Sequence, residues 1–409
     1  MNVSSSRRIL LADADAFYVA VARLVDPQGA GRAPLLIVGG GADRRGVVTS
    51  ASYEARAYGV HSAMPMARAV RLCPGATVVP VPWEACVQQG ERIRDVLVGF
   101  TPTVERASSD EFYLELSGTE RLYHGEPLAV TAGRIRHAVL GATGLSVSIG
   151  GGTSKFVAKL AAGVAKPRPG TPGVGVLVVE PGAEAEFMRR FSLADLPLVG
   201  PKFQERLARL GLRSVVDVLA HERGTLTAWL GEREGGWLYA RVRGLDASPV
   251  ESREIPQSLS RDETFPRDIA DDAPLTALLL RLADRATADL RNGRLVACTV
   301  TVKLRDWDFT TRQASRTLSA PVRSDRAVYA VASELLAKLR TARRVPARLL
   351  GVSLSRLFPE DAKTQLTLFE TEASASVETD RDRMIARVMD EVRERFGPDA
   401  VARGRARPE

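Results

Sequence analysis

A chain of 409 residues is too long for one ordinary hydrophobic core, so several domains are expected. Its 45% hydrophobic and 26% charged content exclude a disordered chain, and a net charge of +8 favours a polyanionic partner. No apolar run reaches the ~18 residues of a membrane helix, the N-terminus lacks a signal-peptide core, and Cys73, Cys86, Cys298 and the four histidines form no metal or disulfide spacing, which together predict the cytoplasm.

In chain order, Ile9-Leu10-Leu11-Ala12 reads as a buried strand that ends in Asp13-Ala14-Asp15-Ala16-Phe17-Tyr18. Leu35–Val38 and Gly46–Ser50 read as further strands, and Ser52 to Tyr58 as a short helix stopped by Gly59. On that helix Tyr53 and Arg56 share a face, where a phenol and a guanidinium suit a triphosphate. Taken alone, the same pair is more often a surface cation over a tyrosine. Residues 83–99 and 126–140 carry amphipathic helical patterns.

Between those helices Asp110-Glu111 stands before the apolar Phe112-Tyr113-Leu114, a second strand edge. If the two acidic edges neighbour each other in one sheet, Asp13, Asp110 and Glu111 converge and need a cation between them. Hard oxygen ligands of this kind call for Mg²⁺ or Mn²⁺, and a pair of such ions clamps in-line phosphoryl transfer. Either edge alone reads as well as a helix cap or a solvated acidic pair. Leu145–Ile149 alternates as a strand, and Gly150-Gly151-Gly152 reads as the turn after it, followed by Lys155, Lys159 and Lys166.

Lys166-Pro167 to Pro172-Gly173 marks a loop at a first boundary. Residues 184–243 read as all-helical, 244–257 as a tether, and 258–358 as a second α/β unit in the order strand, helix, strands, helix, strand. After a polar loop comes Gln365-Leu366-Thr367-Leu368-Phe369. Ile385, Val388, Met389, Val392 and Phe396 then repeat at helical spacing, which predicts an amphipathic helix with that face buried.

Four of these motifs resemble, in order and spacing, those of the Y-family DNA polymerases, and most closely the bacterial DNA polymerase IV branch. They are the strand with Asp13-x-Asp15-x-Phe17-Tyr18, Tyr53-Glu54-Ala55-Arg56-x-x-Gly59-Val60, Ser108-x-Asp110-Glu111, and Lys155 to Lys166-Pro167. The resemblance runs over roughly residues 7–370. It implies an α/β multidomain right hand. The palm would be 1–15 and 83–171, small fingers 16–82, a helical thumb 172–243, a tether 244–257 and an α/β little finger 258–358. A tail, 359–409, would carry a clamp-binding peptide and the amphipathic helix.

The implied function is low-fidelity, template-directed DNA synthesis past lesions, with two-metal nucleotidyl transfer from a dNTP to a primer 3′-hydroxyl. The implied partners are primer–template DNA, dNTPs and a sliding clamp (β clamp), the enzyme itself being a monomer. Asp13 and Asp110 would bridge two Mg²⁺ ions (Mn²⁺ as a substitute), Glu111 would hold the ion that activates the primer hydroxyl, and the Ala14 carbonyl would complete the nucleotide-bound ion. Tyr53, Arg56 and Lys166 would hold the triphosphate, and Tyr18 would be the steric gate against ribose, its other reading being a core aromatic. Small residues at Thr49, Ser50 and Ala63 would roof the nascent base pair.

Further along, Pro197-Leu198-Val199-Gly200-Pro201 resembles a helix–hairpin–helix phosphate grip, weakened by Leu198 and Pro201, with plain helical packing as the alternative. Arg294, Lys303, Arg305, Arg312 and Arg316 would line a DNA-facing sheet, or else a solvated one. Gln365, Leu366, Leu368 and Phe369 would bind the clamp. The chain departs from the family pattern at Ala22, Phe112 and Ser154, of which Phe112 could crowd the sheet. Two alternatives are a catalytically silent, clamp-bound relative and a helix–hairpin–helix DNA-binding or repair protein. The first is disfavoured by the presence of all three carboxylates, and the second gives them no work. A nucleotide cyclase could share such a site but needs neither clamp peptide nor DNA thumb.

Overall fold

Apolar runs bounded by turn residues become the strands, and the amphipathic stretches become the helices that cover them. The computed structural model describes residues 6–252, 255–362, 377–397 and 400–402. These divide into two units, Met1–Arg253 and Glu254–Glu409. The first unit runs β1 (Ile9–Ala14), α1 (Phe17–Val25), β2 (Leu36–Gly39), β3 (Val48–Ala51), α2 (Tyr53–Arg56), α3 (Met66–Leu72), β4 (Thr77–Val79), α4 (Trp83–Val98), β5 (Val104–Arg106), β6 (Glu111–Glu115), α5 (Leu128–Thr143), β7 (Val147–Gly152), α6 (Lys155–Ala165), β8 (Val176–Val178), α7 (Glu184–Met188), α8 (Pro201–Arg209), α9 (Val215–Leu219), α10 (Arg223–Leu230) and α11 (Glu232–Arg241).

The main sheet has the order β5-β6-β1-β7-β8. Strand β1 is antiparallel to both neighbours and buried on both faces, which is why it reads as a continuous apolar run. Leu10, Ala12 and Ala14 pack on one face with Ile93, Leu97, Ile135 and Val139 of α4 and α5. Ile9 and Leu11 pack on the other with Ala158 and Ala162 of α6. The expected turn at Gly150-Gly151-Gly152 is instead the second half of β7. These glycines let α6 lie directly on the strand: a Cβ on Gly150 would stand 2.0 Å from the Ala162 nitrogen and 2.1 Å from the Ala158 oxygen. Phe112 does not crowd the sheet, since it is fully buried and the β1–β6 register is unbroken from Ile9↔Glu115 to Asp13↔Glu111.

A smaller sheet, β3-β2-β4, covers a core of Ile37, Val48, Ala55, Met66 and Ala69. Ala22 is buried beside Leu36 and Val38, so a charged side chain would be costly there. Helices α7 to α11 close around Leu207, Leu212, Val215, Leu226 and Leu238. The residues expected to form a loose tether are partly docked. Val250 is buried with Ile9 and Leu11, Arg7 donates to the Ser248 carbonyl at 3.1 Å, and the Glu251 amide donates to Glu105 at 2.9 Å. One buried apolar side chain flanked by hydrogen bonds is enough to hold this stretch down, and nothing in its aperiodic sequence announces it.

The second unit runs β9 (Ser258–Ile269), α12 (Asp272–Asn292), β10 (Leu295–Asp306), β11 (Thr311–Val322), α13 (Asp325–Ala342), β12 (Ala347–Pro359) and α14 (Asp380–Phe396), with the sheet order β11-β10-β12-β9. Val300, Val302 and Leu304 of β10 face α12 and α13 in a core with Leu279, Ala283, Val331 and Leu335. The intervening Thr299, Thr301, Lys303 and Arg305 lie on the other face of the sheet. Arg312 and Arg316 are not on that open face. They stand opposite Leu304 and Val300, so the pleat turns them toward the helices. Arg312 pairs with buried Asp306 at 2.8 Å, and Arg316 pairs with Glu334 of α13. Arg294 lies in the turn between α12 and β10, where its carbonyl accepts from the Glu360 amide at 2.8 Å.

Helix α14 forms as predicted, but the face it buries is different. Ala386, Met389 and Asp382 are buried, whereas Ile385, Val388 and Phe396 are exposed. Ion pairs set its rotation: Asp390 takes Arg291 at 2.5 Å, and Arg393 takes Asp284 at 2.6 Å. Hydrophobic periodicity alone does not reveal that the docking face is the charged one. The expected clamp peptide, Gln365, Leu366, Leu368 and Phe369, lies outside the described residues.

Candidate active site

The last residue pair of the β1–β6 ladder is Asp13↔Glu111. Neighbouring strands place these two carboxylates side by side, with Asp13 on the α6 face that Ile9 and Leu11 also occupy. The Ala14 amide donates to the Asp110 carbonyl at 3.0 Å, which fixes Asp110 at the same sheet end. Ser108 builds the approach to β6. Its hydroxyl accepts from the Glu111 amide at 3.1 Å and donates to Asp110 Oδ1 at 2.7 Å. Asp15 is held apart, accepting from Ser146 at 2.8 Å and Ser148 at 2.7 Å. The sheet therefore gathers all three predicted carboxylates.

Lysines of the α6 region engage two of them. Lys166 Nζ lies 2.6 Å from Asp13 Oδ1, and Lys159 reaches both Glu111 oxygens at 2.6 and 2.8 Å. Lys166 thus stands on a predicted metal ligand and not on a phosphate position. Among the described residues, no three His, Cys, Asp or Glu side chains form a ready metal cage in this arrangement. The donor set nevertheless fits a hard cation. Asp13 is 7% exposed, and its carboxyl is pushed up to about 6. Burial is the main cause, Lys166 offsets part of it, and Glu111 and Asp110 raise it further. A buried carboxylate that resists ionisation, as Asp13 does, is short of positive charge, which a divalent ion supplies.

Tyr53 enters from the smaller sheet, at the start of α2, whose first turn is capped by Ser52 accepting from the Ala55 amide at 3.3 Å. Its hydroxyl is buried and has no hydrogen-bond partner. Its pKa is pushed up to about 12, by burial first and then by Asp15, with Arg56 offsetting part and Asp13 adding to the effect, so the phenol lies within electrostatic reach of Asp15 and Asp13. Arg56 lies with its guanidinium 4.8 Å from the Tyr53 ring centre, and its Nε donates to the Ala51 carbonyl at 2.9 Å. An orphaned phenol beside a fixed guanidinium is a vacant acceptor-binding corner, which suits phosphate oxygens.

Tyr18, on the first turn of α1, is half-buried and donates to Ser109 Oγ at 3.3 Å. Thr49 and Ser50 lie on β3, and Ala63 follows it with a left-handed backbone, φ 66°. Three contacts escaped the sequence reading: the Glu111–Lys159 pair, the Glu105–Lys155 pair at 2.6 Å, and the packing of Trp83 on Tyr18. The four-residue spacing of Lys155 and Lys159 puts both amines on one face of α6, from which their side chains reach Glu105 and Glu111.

Beyond Lys159, a recess lined by Tyr113, Lys155, Trp237 and Arg241 shares Leu198 and Trp237 with a second recess lined by Lys202, Arg206 and Arg233. Leu198 projects from the hairpin, 86% exposed, with φ 70°. Pro201 occupies the first position of α8, where its missing N–H removes no helical bond.

Residues 12–163 match the model of the impB/mucB/samB family, residues 256–368 match its C-terminal domain, and residues 194–246 match the DNA polymerase-iota thumb domain. The DNA polymerase IV of Dehalococcoides mccartyi (strain CBDB1) is 33% identical over 401 residues, 98% of each chain. That of Halorhodospira halophila is 36% identical over 360 residues, 88% of this chain and 98% of the relative. The solved Y-family DNA polymerase chimera Dbh-Dpo4(243-245)-Dbh superposes with a TM-score of 0.76 at 24% identity, covering 86% of this chain and 99% of that one.

Proposed function

The chain belongs to the impB/mucB/samB family of Y-family DNA polymerases, and we propose that the acidic end of its main sheet carries nucleotidyl transfer from a dNTP to a primer 3′-hydroxyl. It is a template-directed DNA polymerase of the translesion class, a divalent-metal enzyme that binds primer–template DNA and dNTPs. The observation that supports the site assignment best is the pairing of Asp13 with Glu111 at the sheet end, with the partnerless Tyr53 hydroxyl in electrostatic reach of Asp13.

Asp13, Asp110 and Glu111 would hold two Mg²⁺ ions, or Mn²⁺ in their place, together with the Ala14 carbonyl. When bound, such ions polarise the α-phosphate and lower the acidity threshold of the primer hydroxyl. Tyr53 donates its hydroxyl to a phosphate oxygen, and Arg56, already braced by Ala51, orients the triphosphate. Lys166, which rests on Asp13, would be the amine placed to offset charge on the departing pyrophosphate. Lys159, paired with Glu111, would add a second positive charge beside the carboxylates.

The cations of the two joined recesses give the primer strand a sequence-independent phosphate track toward the α8 hairpin. In the second unit the open sheet face, with Lys303 and Arg305, is the surface for duplex phosphates. A lax nascent-pair roof is consistent with the short side chains of Thr49, Ser50 and Ala63. We further propose a cytoplasmic monomer whose Gln365–Phe369 segment binds a sliding clamp. No helix among the described residues is long and apolar enough to cross a membrane.

Primer extension on an undamaged template tests the assignment, with wild type beside Asp110→Ala/Glu111→Ala. The double variant is expected to lose nucleotide addition while retaining primer–template binding. Near-normal extension by it sinks the carboxylate assignment. Loss of extension in both proteins with binding intact favours the silent, clamp-bound reading.

A further inference from the structure

Tyr18 lies at a seam, its ring packed against both the α4/α5 core and the core beneath α1. Two rings meet it edge-on: Phe17 with centroids 5.3 Å apart and planes at 73°, and Trp83 at 6.0 Å and 77°. The two neighbours differ in kind. Phe17 is 1% exposed and belongs to the core, whereas Trp83 is 63% exposed. At the far end of the Tyr18 ring, its hydroxyl donates to Ser109 Oγ, next to Asp110.

The base of the indole is pinned. Pro80 and Pro82 bracket Val81, and the Trp83 amide donates to the Val81 carbonyl at 3.0 Å, so the approach to α4 has few backbone alternatives. From there α4 is anchored by buried Cys86, Ile93 and Leu97. A tyrosine on the first turn of a helix has other rotamers open to it. With the indole on its flank and Ser109 at its tip, a swing away from the acidic site breaks both contacts.

We infer that Trp83 is a positioning residue for sugar selection, holding the Tyr18 ring, with Ser109, where a ribose 2′-hydroxyl would have to fit. The inference rests on Tyr18 acting as the gate. An edge-to-face aromatic pair corresponds to a population shift of about 2- to 10-fold. A gate is only as strict as the fraction of time it is closed, so loss of the indole relaxes selection by about that factor.

The full chain on a primer–template provides the test, reading kcat/KM for a dNTP and for the matching rNTP opposite one template base. Trp83→Ala is expected to lower the dNTP-to-rNTP ratio about 2- to 10-fold, mainly through a lower rNTP KM. Trp83→Phe, which keeps an edge-on ring, is expected to restore most of the selection. Tyr18→Phe, which keeps the ring and drops the Ser109 bond, is expected to relax selection by a smaller factor, and gives a reading that needs no change at Trp83. A ratio unmoved in both Trp83→Ala and Tyr18→Phe, while Tyr18→Ala loses selection, overturns the positioning role alone. Selection surviving in Tyr18→Ala removes the gate itself, and the inference with it.

Discussion

Replacing Asp13 by Asn should stabilise the first unit while silencing synthesis. The Asp13 carboxyl titrates near 3.8 in the unfolded chain and is pushed up to about 6 in the fold. The folded state therefore holds this proton more tightly, and an ionised Asp13 counts against folding. That penalty is fully present above about pH 6 and gone below about pH 4. At 1.36 kcal/mol per pH unit it is about 3 kcal/mol at pH 8 and falls to roughly half of that at pH 5. Asparagine keeps the shape and an oxygen for Lys166 but never has to ionise. Scanning calorimetry of the full chain in metal-free buffer reads the first-unit transition, and the Asn variant should melt several degrees higher at pH 8, with the gain halved at pH 5. Added Mg²⁺ should then raise wild type and leave the variant unmoved, because only a bound ion relieves the carboxylate. An Asn variant no more stable than wild type at pH 8, or a gain that does not shrink by pH 5, refutes the reasoning.

Deleting Gln365 to Phe369 should leave distributive primer extension intact and abolish its stimulation by a sliding clamp, and persisting stimulation would show the peptide to be misassigned. Gly150→Ala should destabilise the first unit by about 3 kcal/mol or more in urea melts, because the new methyl meets the α6 backbone and no flexible side chain can yield. A change below about 0.5 kcal/mol would mean that α6 rides loosely on β7. Removing both Asp284 and Asp390 as alanines leaves Arg393 and Arg291 largely buried without their carboxylate partners, so limited proteolysis should detach α14 while the sheet of the second unit keeps its melting profile. Equal resistance of variant and wild type would show that other contacts hold the helix.

The sequence by itself determined the residue types of the chemistry. A strand that must be buried on both faces is written as an unbroken apolar run, and the acidic residues at its end, like the Ser108-x-Asp110-Glu111 turn, stand out because the two edges recur together, in order, with the Tyr53–Arg56 and Lys155–Lys166 motifs. Helices such as α12 and α13 were legible for the same reason, since periodicity reports a face that some core must cover. What covers a face, and what a side chain meets across the chain, is not local information. Only the tertiary structure decided that Gly150 to Gly152 form a strand under α6, that Arg312 and Arg316 point to helices, and that α14 docks by its charged side. Only the fold could bring Trp83 to Tyr18 and Lys166 to Asp13, because such contacts depend on strand register and helix rotation, which are set by packing between segments far apart in sequence.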